Sequence, residues 1–205
     1  MKALLALGMG YAVGCISPAA YVSKKKNVNL KEEGTKNLGA TNTALVLGRF
    51  AGYFVLVFDI LKSYISYRLA RFLFPHLRLA GLISGIGVIL GHCFPVTMGF
   101  QGGKGLASFG GLILAHDGRI FAFLLVIGIV MAFAMNYGVY LAISTALLFP
   151  LSCFLFHGDL AEALVCAISS IIILLMHLSN LRRAISGEDP IHMRAGFHRI
   201  FREKK

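Results

Sequence analysis

The stretch LAGLISGIGVILGHCFPVTM, residues 79–98, contains twenty residues and no aspartate, glutamate, lysine or arginine. An apolar run of about 20 residues is the length that an α-helix needs to cross the roughly 30 Å hydrocarbon core of a bilayer. Six further apolar runs occur along the chain, at residues 3–22, 44–67, 105–116, 120–135, 137–156 and 161–179. The sequence therefore predicts an all-α integral membrane protein with seven transmembrane helices, two of them short.

The two short runs leave a second topology open. Residues 105–116 and 120–135 are each shorter than a full crossing, and together they suit a re-entrant hairpin. That hairpin leaves five spans instead of seven. Both numbers are odd, so the sidedness of the other loops is the same in either topology.

The composition agrees with a membrane protein. Of 205 residues, 57% are hydrophobic and 14% are charged, whereas soluble domains carry about 25% charge. The length accommodates at most about seven spans, so we expect one membrane domain over residues 1–205. The cysteines Cys15, Cys93, Cys153 and Cys166 lack the spacing of zinc or redox sites, and we interpret them as small apolar residues.

The basic residues predict the orientation. Twenty Lys and Arg face nine Asp and Glu, but they lie between apolar runs, which favours contact with membrane lipid and not with nucleic acid. The connection 24–43 and the tail after residue 180 are rich in Lys and Arg, so both should be cytoplasmic and the amino terminus outside. Arg68, Arg71 and Arg78 are exceptions, because this topology places them outside. The Lys24–Lys26 cluster favours a retained first span over a cleaved signal peptide.

Three polar clusters lie at the predicted cytoplasmic ends. The first is EGTKNLGATN, residues 33–42, ahead of the second apolar run. We expect Thr41 or Asn42 to cap the helix that follows. A capped helix start presents amide groups and the positive end of the helix dipole to an anion. The alternative is a plain loop with a helix cap.

The second cluster consists of GHCFP, residues 91–95, and FQGGKG, residues 100–105. Gly102 and Gly103 permit close approach of the backbone to a ligand, and Lys104 adds a compact positive charge. The pattern resembles a phosphate cradle but matches neither a Walker A loop nor GxGxxG. The alternative is a tight turn with one lysine reaching the interface.

The third cluster is HLSNLRR, residues 177–183, followed by GEDP. A spacing of three places His177 and Asn180 on one helix face. The alternative is a helix end that meets lipid headgroups. The predicted topology brings all three clusters to the same side of the membrane and favours a shared pocket.

Ionisable residues inside a span are functional candidates. Asp59 and Lys62 are three residues apart, so we expect a structural ion pair. Counted from residue 44, Asp59 is about 22 Å from the cytoplasmic end. Arg49, about one turn inside that helix, is better placed to reach a phosphate.

Together, GATN, GHCFP with FQGGKG, and HLSN with its trailing RR and GED resemble the bacterial membrane acyl-phosphate:glycerol-3-phosphate acyltransferase family, the PlsY type. The likeness covers essentially the whole chain and implies a seven-helix enzyme of the bacterial cytoplasmic (inner) membrane with its active site facing the cytoplasm. Such an enzyme moves a fatty acyl group from acyl phosphate to glycerol 3-phosphate, forming lysophosphatidic acid and phosphate in phospholipid biosynthesis. Departures from the family pattern occur at Cys15, Thr35, Lys36 and Asp189.

The resemblance and the clusters together give the candidate site. The candidate catalytic residues are Lys104, His92, His177 and Asn180. The candidate substrate-binding residues are Thr35, Asn37, Gly39, Thr41, Asn42, Arg49, Gly102, Gly103, Lys104, His177 and Asn180.

The expected chemistry needs few groups. An acyl phosphate is already an activated anhydride, so we expect no covalent nucleophile, metal or cofactor, and the sequence contains no GxSxG motif. Either His92 or the departing phosphate takes the hydroxyl proton. The sequence also lacks HxxxxD, the dyad of acyl-CoA-dependent acyltransferases, which favours the acyl phosphate donor.

Two other functions remain open from the residues. A transporter of an organic phosphate also requires cationic residues, although it should carry them through both halves of the membrane. An enzyme acting on lipid-linked phosphates should offer a nucleophilic histidine or metal-binding carboxylates. The basic tail favours anionic lipid as its partner, with the soluble enzyme that makes acyl phosphate as the alternative.

Overall fold

The computed structural model describes residues 1–189 and 192–194, and every regular element in these ranges is helical. The elements are α1 (Lys2–Gly14), α2 (Pro18–Lys25), α3 (Ala40–Leu47), α4 (Arg49–Leu73), α5 (Ala80–Cys93), a 3-10 turn (Val96–Met98), α6 (Leu106–His116), α7 (Gly118–Ala134), α8 (Val139–His157) and α9 (Leu160–Ile185). The all-α prediction is confirmed. The predicted tail residues Pro190, Arg199, Arg202, Lys204 and Lys205 lie outside the described residues.

Five helical segments are long and apolar enough to cross a membrane: Lys2–Lys25, Arg49–Leu73, Ala80–Met98, Val139–His157 and Leu160–Ile185. Two shorter apolar helices, α6 and α7, correspond to the two short predicted runs. The number of true crossings and their orientation stay predictions.

The chain divides into two compact units, Met1–Gly118 and the remainder from Arg119 onward. The first unit contains α1 to α6, and the second contains α7 to α9. The single domain expected over residues 1–205 stays a prediction.

Helices α1 and α5 of the first unit pack with their backbones in contact. Each carries a Gly-x-x-x-Gly pair, Gly10 with Gly14 and Gly87 with Gly91. A Cβ atom on Gly91 would lie 2.1 Å from the carbonyl oxygen of Tyr11, so no larger residue fits there. Small residues at this spacing allow close helix packing in membranes, and this pairing fixes α5 beside α1.

The first span is interrupted between α1 and α2. Pro18 is the first residue of α2 and has no N–H, so a continuous helix would leave the carbonyl of Gly14 without its donor. Ser17 caps α2 by accepting a hydrogen bond from the amide of Ala20 at 3.2 Å. The carbonyl of Ile16 is therefore also available to another partner, and the break exposes two backbone acceptors inside the unit.

The predicted run 44–67 is wrong as one helix. Gly48, with φ 93° and ψ 162°, divides it into α3 and α4. Arg49 is consequently the first residue of α4 and is exposed, and does not lie one turn inside a helix. Asp59 is then about 15 Å from the start of its helix, at about 1.5 Å per residue, and not 22 Å.

The predicted cap of this helix is also wrong. Gly39 is the N-cap of α3, in an extended conformation, and Thr41 and Asn42 lie within the first turn. The amide and the hydroxyl of Thr43 both donate to the Gly39 carbonyl at 3.0 Å. The side chain of Asn42 turns instead to the preceding loop.

In the second unit, α8 and α9 bring two buried thiols together. Cys153 and Cys166 are thirteen residues apart in sequence, but their sulfur atoms lie 3.5 Å apart. None of the four cysteines forms a disulfide, and of the four only Cys15 is partly exposed. Their burial agrees with the interpretation as small apolar residues.

Residues 192–194 bind the turn between α7 and α8. The amide of Arg194 donates to the side-chain oxygen of Asn136 at 2.9 Å. Its guanidinium donates to the carbonyls of Phe133 and Ala134 at 3.1 and 2.9 Å. Arg194 therefore satisfies the last carbonyls of α7, which a helix otherwise leaves unpaired.

Candidate active site

The glycine loop, residues 99–105, folds back on the end of α5. The amide of Gly102 donates to the carbonyl of Cys93 at 3.0 Å, and the amide of Gly103 donates to that of His92 at 3.1 Å. These two amides are occupied by the protein itself. Lys104, which is half-buried, and the amides that open α6 are the other donors of this segment, and their role toward substrate stays a prediction.

The structure brings the first two clusters together within the first unit. A Cβ on Gly103 would lie 2.3 Å from Nε2 of His92 and 2.5 Å from the carbonyl oxygen of Leu38. Lys31 Nζ, from the loop before α3, donates to Gln101 Oε1 at 3.4 Å. The loop ahead of α3 and the glycine loop are thus neighbours, and only glycine fits between them.

Asn42 organises the loop ahead of α3. It is fully buried, and its side-chain nitrogen donates to the carbonyls of Leu30 and Glu33 at 2.8 and 3.1 Å. Its oxygen accepts from the amide of Thr35 at 2.6 Å. Both N–H groups of the amide are used, so Asn42 holds the loop in shape, and its role as a substrate ligand stays a prediction.

Two helix starts lie at this junction. Neither α3, which begins after Gly39, nor α6, which begins after Gly105, has a side-chain cap. The first amides of each helix have no partner within the helix and carry the positive end of its dipole. A cleft of about 410 Å³ adjoins the loop before α3, and Lys24 and Lys31 line it. The helix starts and the two lysines suit an anion.

The remaining candidates of the first cluster lie around the start of α3. Thr35 and Asn37 are half-buried, and Thr41 is exposed in the first turn of the helix. Their role as substrate ligands stays a prediction.

The predicted ion pair is confirmed and is part of a larger network. Lys62 Nζ lies 2.7 Å from Oδ1 of Asp59. The same nitrogen donates to the carbonyls of Gly14 and Ile16 at 3.2 and 2.9 Å, which are the acceptors exposed by the break before α2. It also lies 3.0 Å from His92 Nδ1. No local sequence pattern links His92 to Asp59 and Lys62, so this contact could not be predicted.

Tyr11, which the sequence analysis did not single out, binds the backbone just before the glycine loop. The hydroxyl of Tyr11 donates to the carbonyl of Phe94 at 2.7 Å and accepts from the amide of Val96 at 3.2 Å. Both partners lie where the chain leaves α5. The close packing of α1 on α5 therefore positions the loop as well as the helices.

The third cluster lies at the end of α9 in the second unit. His177 is buried, and its Nδ1 lies 2.9 Å from the carbonyl of Ile173. The side-chain oxygen of Asn180 accepts from the guanidinium of Arg183 at 2.9 Å. His177 and Asn180 lie three residues apart in one helix, as predicted. Their participation in a shared pocket stays a prediction.

Comparison with known proteins decides the family. The sequence profile described as glycerol-3-phosphate acyltransferase matches residues 4–187. This chain belongs to the glycerol-3-phosphate acyltransferase family. It is therefore an acyltransferase, as the motifs predicted, and the transporter interpretation is dropped.

Relatives of the acyltransferase cover nearly its whole length. The glycerol-3-phosphate acyltransferase of Macrococcus caseolyticus is 32% identical over 93% of this chain and 97% of its own length. That of Listeria welshimeri is 36% identical over 89% of this chain and 92% of its own length.

Solved structures agree with the family. The acyltransferase resembles the crystal structure of PlsY (YgiH), an integral membrane glycerol 3-phosphate acyltransferase, in its glycerol 3-phosphate form, with a TM-score of 0.88 and 25% identity over 96% of this chain and 98% of the other. The lysphosphatidic acid form gives a TM-score of 0.83 and 26% identity over 92% and 94%. The acyltransferase is thus an integral membrane protein.

Proposed function

We propose that this acyltransferase transfers a fatty acyl group from acyl phosphate to glycerol 3-phosphate and releases lysophosphatidic acid and phosphate. The observation that carries the proposal is the junction in the first unit, where Gly103 separates His92 from Leu38 and two uncapped helix starts flank Lys104. Anion-binding groups gathered at one point suit substrates that each carry a phosphate.

The reaction requires positioning more than covalent chemistry. The glycerol hydroxyl oxygen attacks the acyl carbonyl carbon, the anhydride C–O bond breaks, and phosphate leaves with the bonding electrons. The hydroxyl proton passes to a base or to the departing phosphate. Holding two reactants in line can contribute about 7–11 kcal/mol, and a preorganised donor to the developing oxyanion about 3–4 kcal/mol. No protein nucleophile is needed.

Lys104 and Arg49 supply the cationic side chains. Lys104 lies in the glycine loop, two residues before α6 begins, and Arg49 is the first residue of α4, directly after Gly48. An ammonium binds phosphate as a compact point charge, whereas a guanidinium binds it through two parallel hydrogen bonds. We assign both to the phosphates of the substrates, together with Thr35, Asn37, Gly39 and Thr41.

His177 and Asn180 act in the same reaction. His177 is buried at the end of α9, where the carbonyl of Ile173 fixes its ring. Asn180 is held by Arg183. Side chains restrained in this way are preorganised for substrate, which favours a functional role over random contact with headgroups.

The enzyme lies in the bacterial cytoplasmic membrane with its active site toward the cytoplasm, where a soluble enzyme supplies acyl phosphate. The lysine-rich segment from α2 to α3 supports this side. Membrane-impermeant labelling of single cysteines introduced beside Lys104 and His177 tests the orientation. Reaction from opposite sides would exclude a shared pocket.

Purified enzyme in detergent provides the direct test of function. Palmitoyl phosphate and glycerol 3-phosphate should yield lysophosphatidic acid and phosphate in equal amounts. Lys104→Ala should lose the activity, and Lys25→Ala, which removes an exposed lysine on α2, should retain it. Product from palmitoyl-CoA but none from palmitoyl phosphate would contradict the donor assignment.

A further inference from the structure

His92 sits between a buried ion pair and the glycine loop. Asp59, Lys62 and His92 are exposed by 1%, 6% and 7%. Charges inside a membrane span are costly unless they are paired and hydrogen-bonded. Three such groups buried together therefore indicate a task beyond packing.

Lys62 acts as a hydrogen-bond donor toward His92. An ammonium has three N–H donors and no acceptor. Its three shortest contacts are Asp59 Oδ1, the Ile16 carbonyl and His92 Nδ1, at 2.7, 2.9 and 3.0 Å. The Asp59 contact is an ion pair without a hydrogen bond. The three hydrogen bonds go to the carbonyls of Ile16 and Gly14, the latter at 3.2 Å, and to His92. Lys62 can only donate, so His92 Nδ1 must accept.

A histidine that accepts at Nδ1 and is neutral carries its proton on Nε2. In the competing arrangement, Nδ1–H would donate over 3.3 Å to Asp59 Oδ1, an oxygen that has no hydrogen bond but forms the ion pair with Lys62. That arrangement would also turn an N–H toward the Lys62 ammonium only 3.0 Å away. The shorter contact and the absence of repulsion favour the proton on Nε2.

The Nε2 side of His92 faces the glycine loop. Gly103 lies so close that a Cβ on it would be 2.3 Å from Nε2. Within residues 1–189 and 192–194, no hydrogen bond joins Nε2 to another group, although the side chain is more than nine-tenths buried. Nε2 is not among the fully buried side-chain atoms that lack a partner, so it keeps some accessible surface beside the loop. An N–H donor that is accessible there and has no acceptor within the protein suits a ligand oxygen.

We propose that Asp59 and Lys62 fix His92 as an Nε2–H donor to a substrate phosphate oxygen beside Gly103, so that His92 is not the base. This inference rests on the proposed function of the same site. Asp59 and Lys62 are positioning residues. The helix break at Pro18 contributes as well, because it leaves the carbonyls of Gly14 and Ile16 available to Lys62.

Side-chain replacements at His92 separate a donor from a base. Glutamine places an amide N–H near the position of Nε2, whereas asparagine places one near Nδ1. His92→Gln should stay within about tenfold of the wild type, while His92→Ala and His92→Asn should lose about 100-fold, as for one preorganised donor. KM measured for each substrate in turn shows which phosphate binds, because the KM of that substrate rises most. If His92→Gln is as inactive as His92→Ala, the donor role is overturned.

A spectrum of the wild-type enzyme tests the tautomer without relying on a mutant's folding. In enzyme labelled with ¹⁵N-histidine, His92 is assigned by the signal that His92→Gln removes. Nε2 should show the shift of a protonated nitrogen and Nδ1 that of an unprotonated one. Lys62→Met should alter this pattern, whereas the neighbouring Ser63→Ala should not.

The two failures are distinguishable. An Nε2 that is unprotonated in the substrate-free wild type overturns the inference even if lysophosphatidic acid forms. Lack of lysophosphatidic acid with the predicted tautomer present overturns the proposed function, and with it the phosphate as the acceptor.

Discussion

The polar groups of the first unit are organised across the chain, whereas those at the end of α9 are organised within one helix. Lys62 donates to the carbonyls of Gly14 and Ile16 and to His92, which lies thirty residues after Lys62 in the sequence. By contrast, His177 bonds to Ile173 and Asn180 bonds to Arg183, four and three residues away. Tertiary packing therefore creates the first site, whereas these two bonds at the end of α9 follow from helix geometry.

The two buried histidines show what this difference means for chemistry. The carbonyl of Ile173 can only accept, so His177 Nδ1 carries a proton. His92 Nδ1 faces an ammonium and takes the opposite tautomer. Neighbours set which nitrogen donates, and the same residue type serves opposite hydrogen-bonding roles in the two units.

The largest effect is expected from Lys104→Ala, which removes the ammonium group of the glycine loop. Turnover should fall about 100- to 1000-fold, as when one preorganised donor is lost. Steady-state assays with both substrates measure it, beside Lys25→Ala as the control. A loss below tenfold would place the main anion-binding charge elsewhere.

Gly103→Ala tests whether activity requires the close packing of the glycine loop against His92 and Leu38. The added Cβ would meet His92 Nε2 and the Leu38 carbonyl, so the loop must shift, and a shift of about 1 Å can cost about 100-fold in rate. Gly8→Ala on α1, where a Cβ meets nothing within 4 Å, is the matched control. Equal activity of the two variants would contradict the geometry.

These two variants also mark what the sequence could and could not predict. The apolar runs predicted the helices, and the motifs predicted the clusters, because both depend on residues close together in the chain. The break at Gly48 was missed, since a single glycine inside an apolar run carries no clear signal. The Lys62 network and the role of Tyr11 depend on contacts between distant helices, which no local spacing reveals.

A smaller effect is expected from Asn180→Ala at the end of α9. This change removes one polar group and its bond to Arg183, so kcat/KM should fall about tenfold, consistent with roughly 1–1.5 kcal/mol for one hydrogen bond. The neighbouring exposed Ser179→Ala should show no change. A 1000-fold loss would mean that this local cluster is as interdependent as the first region.

The smallest effect on activity is expected from Arg194→Ala. Its guanidinium serves the carbonyls of Phe133 and Ala134, so its loss should lower the midpoint of thermal unfolding by about 2–4 °C for roughly 1 kcal/mol. Turnover below that temperature should stay within about twofold of the wild type. Thermal unfolding in detergent measures the shift, with Arg68→Ala as the control. An unchanged midpoint would show that this contact adds no stability.

Calorimetric titration with glycerol 3-phosphate tests most directly whether a phosphate binds where the glycine loop meets the loop before α3. The wild type should show saturable binding that weakens as salt increases, and Lys104→Ala should show none at the same concentrations. Equal affinity in the two proteins would contradict the account.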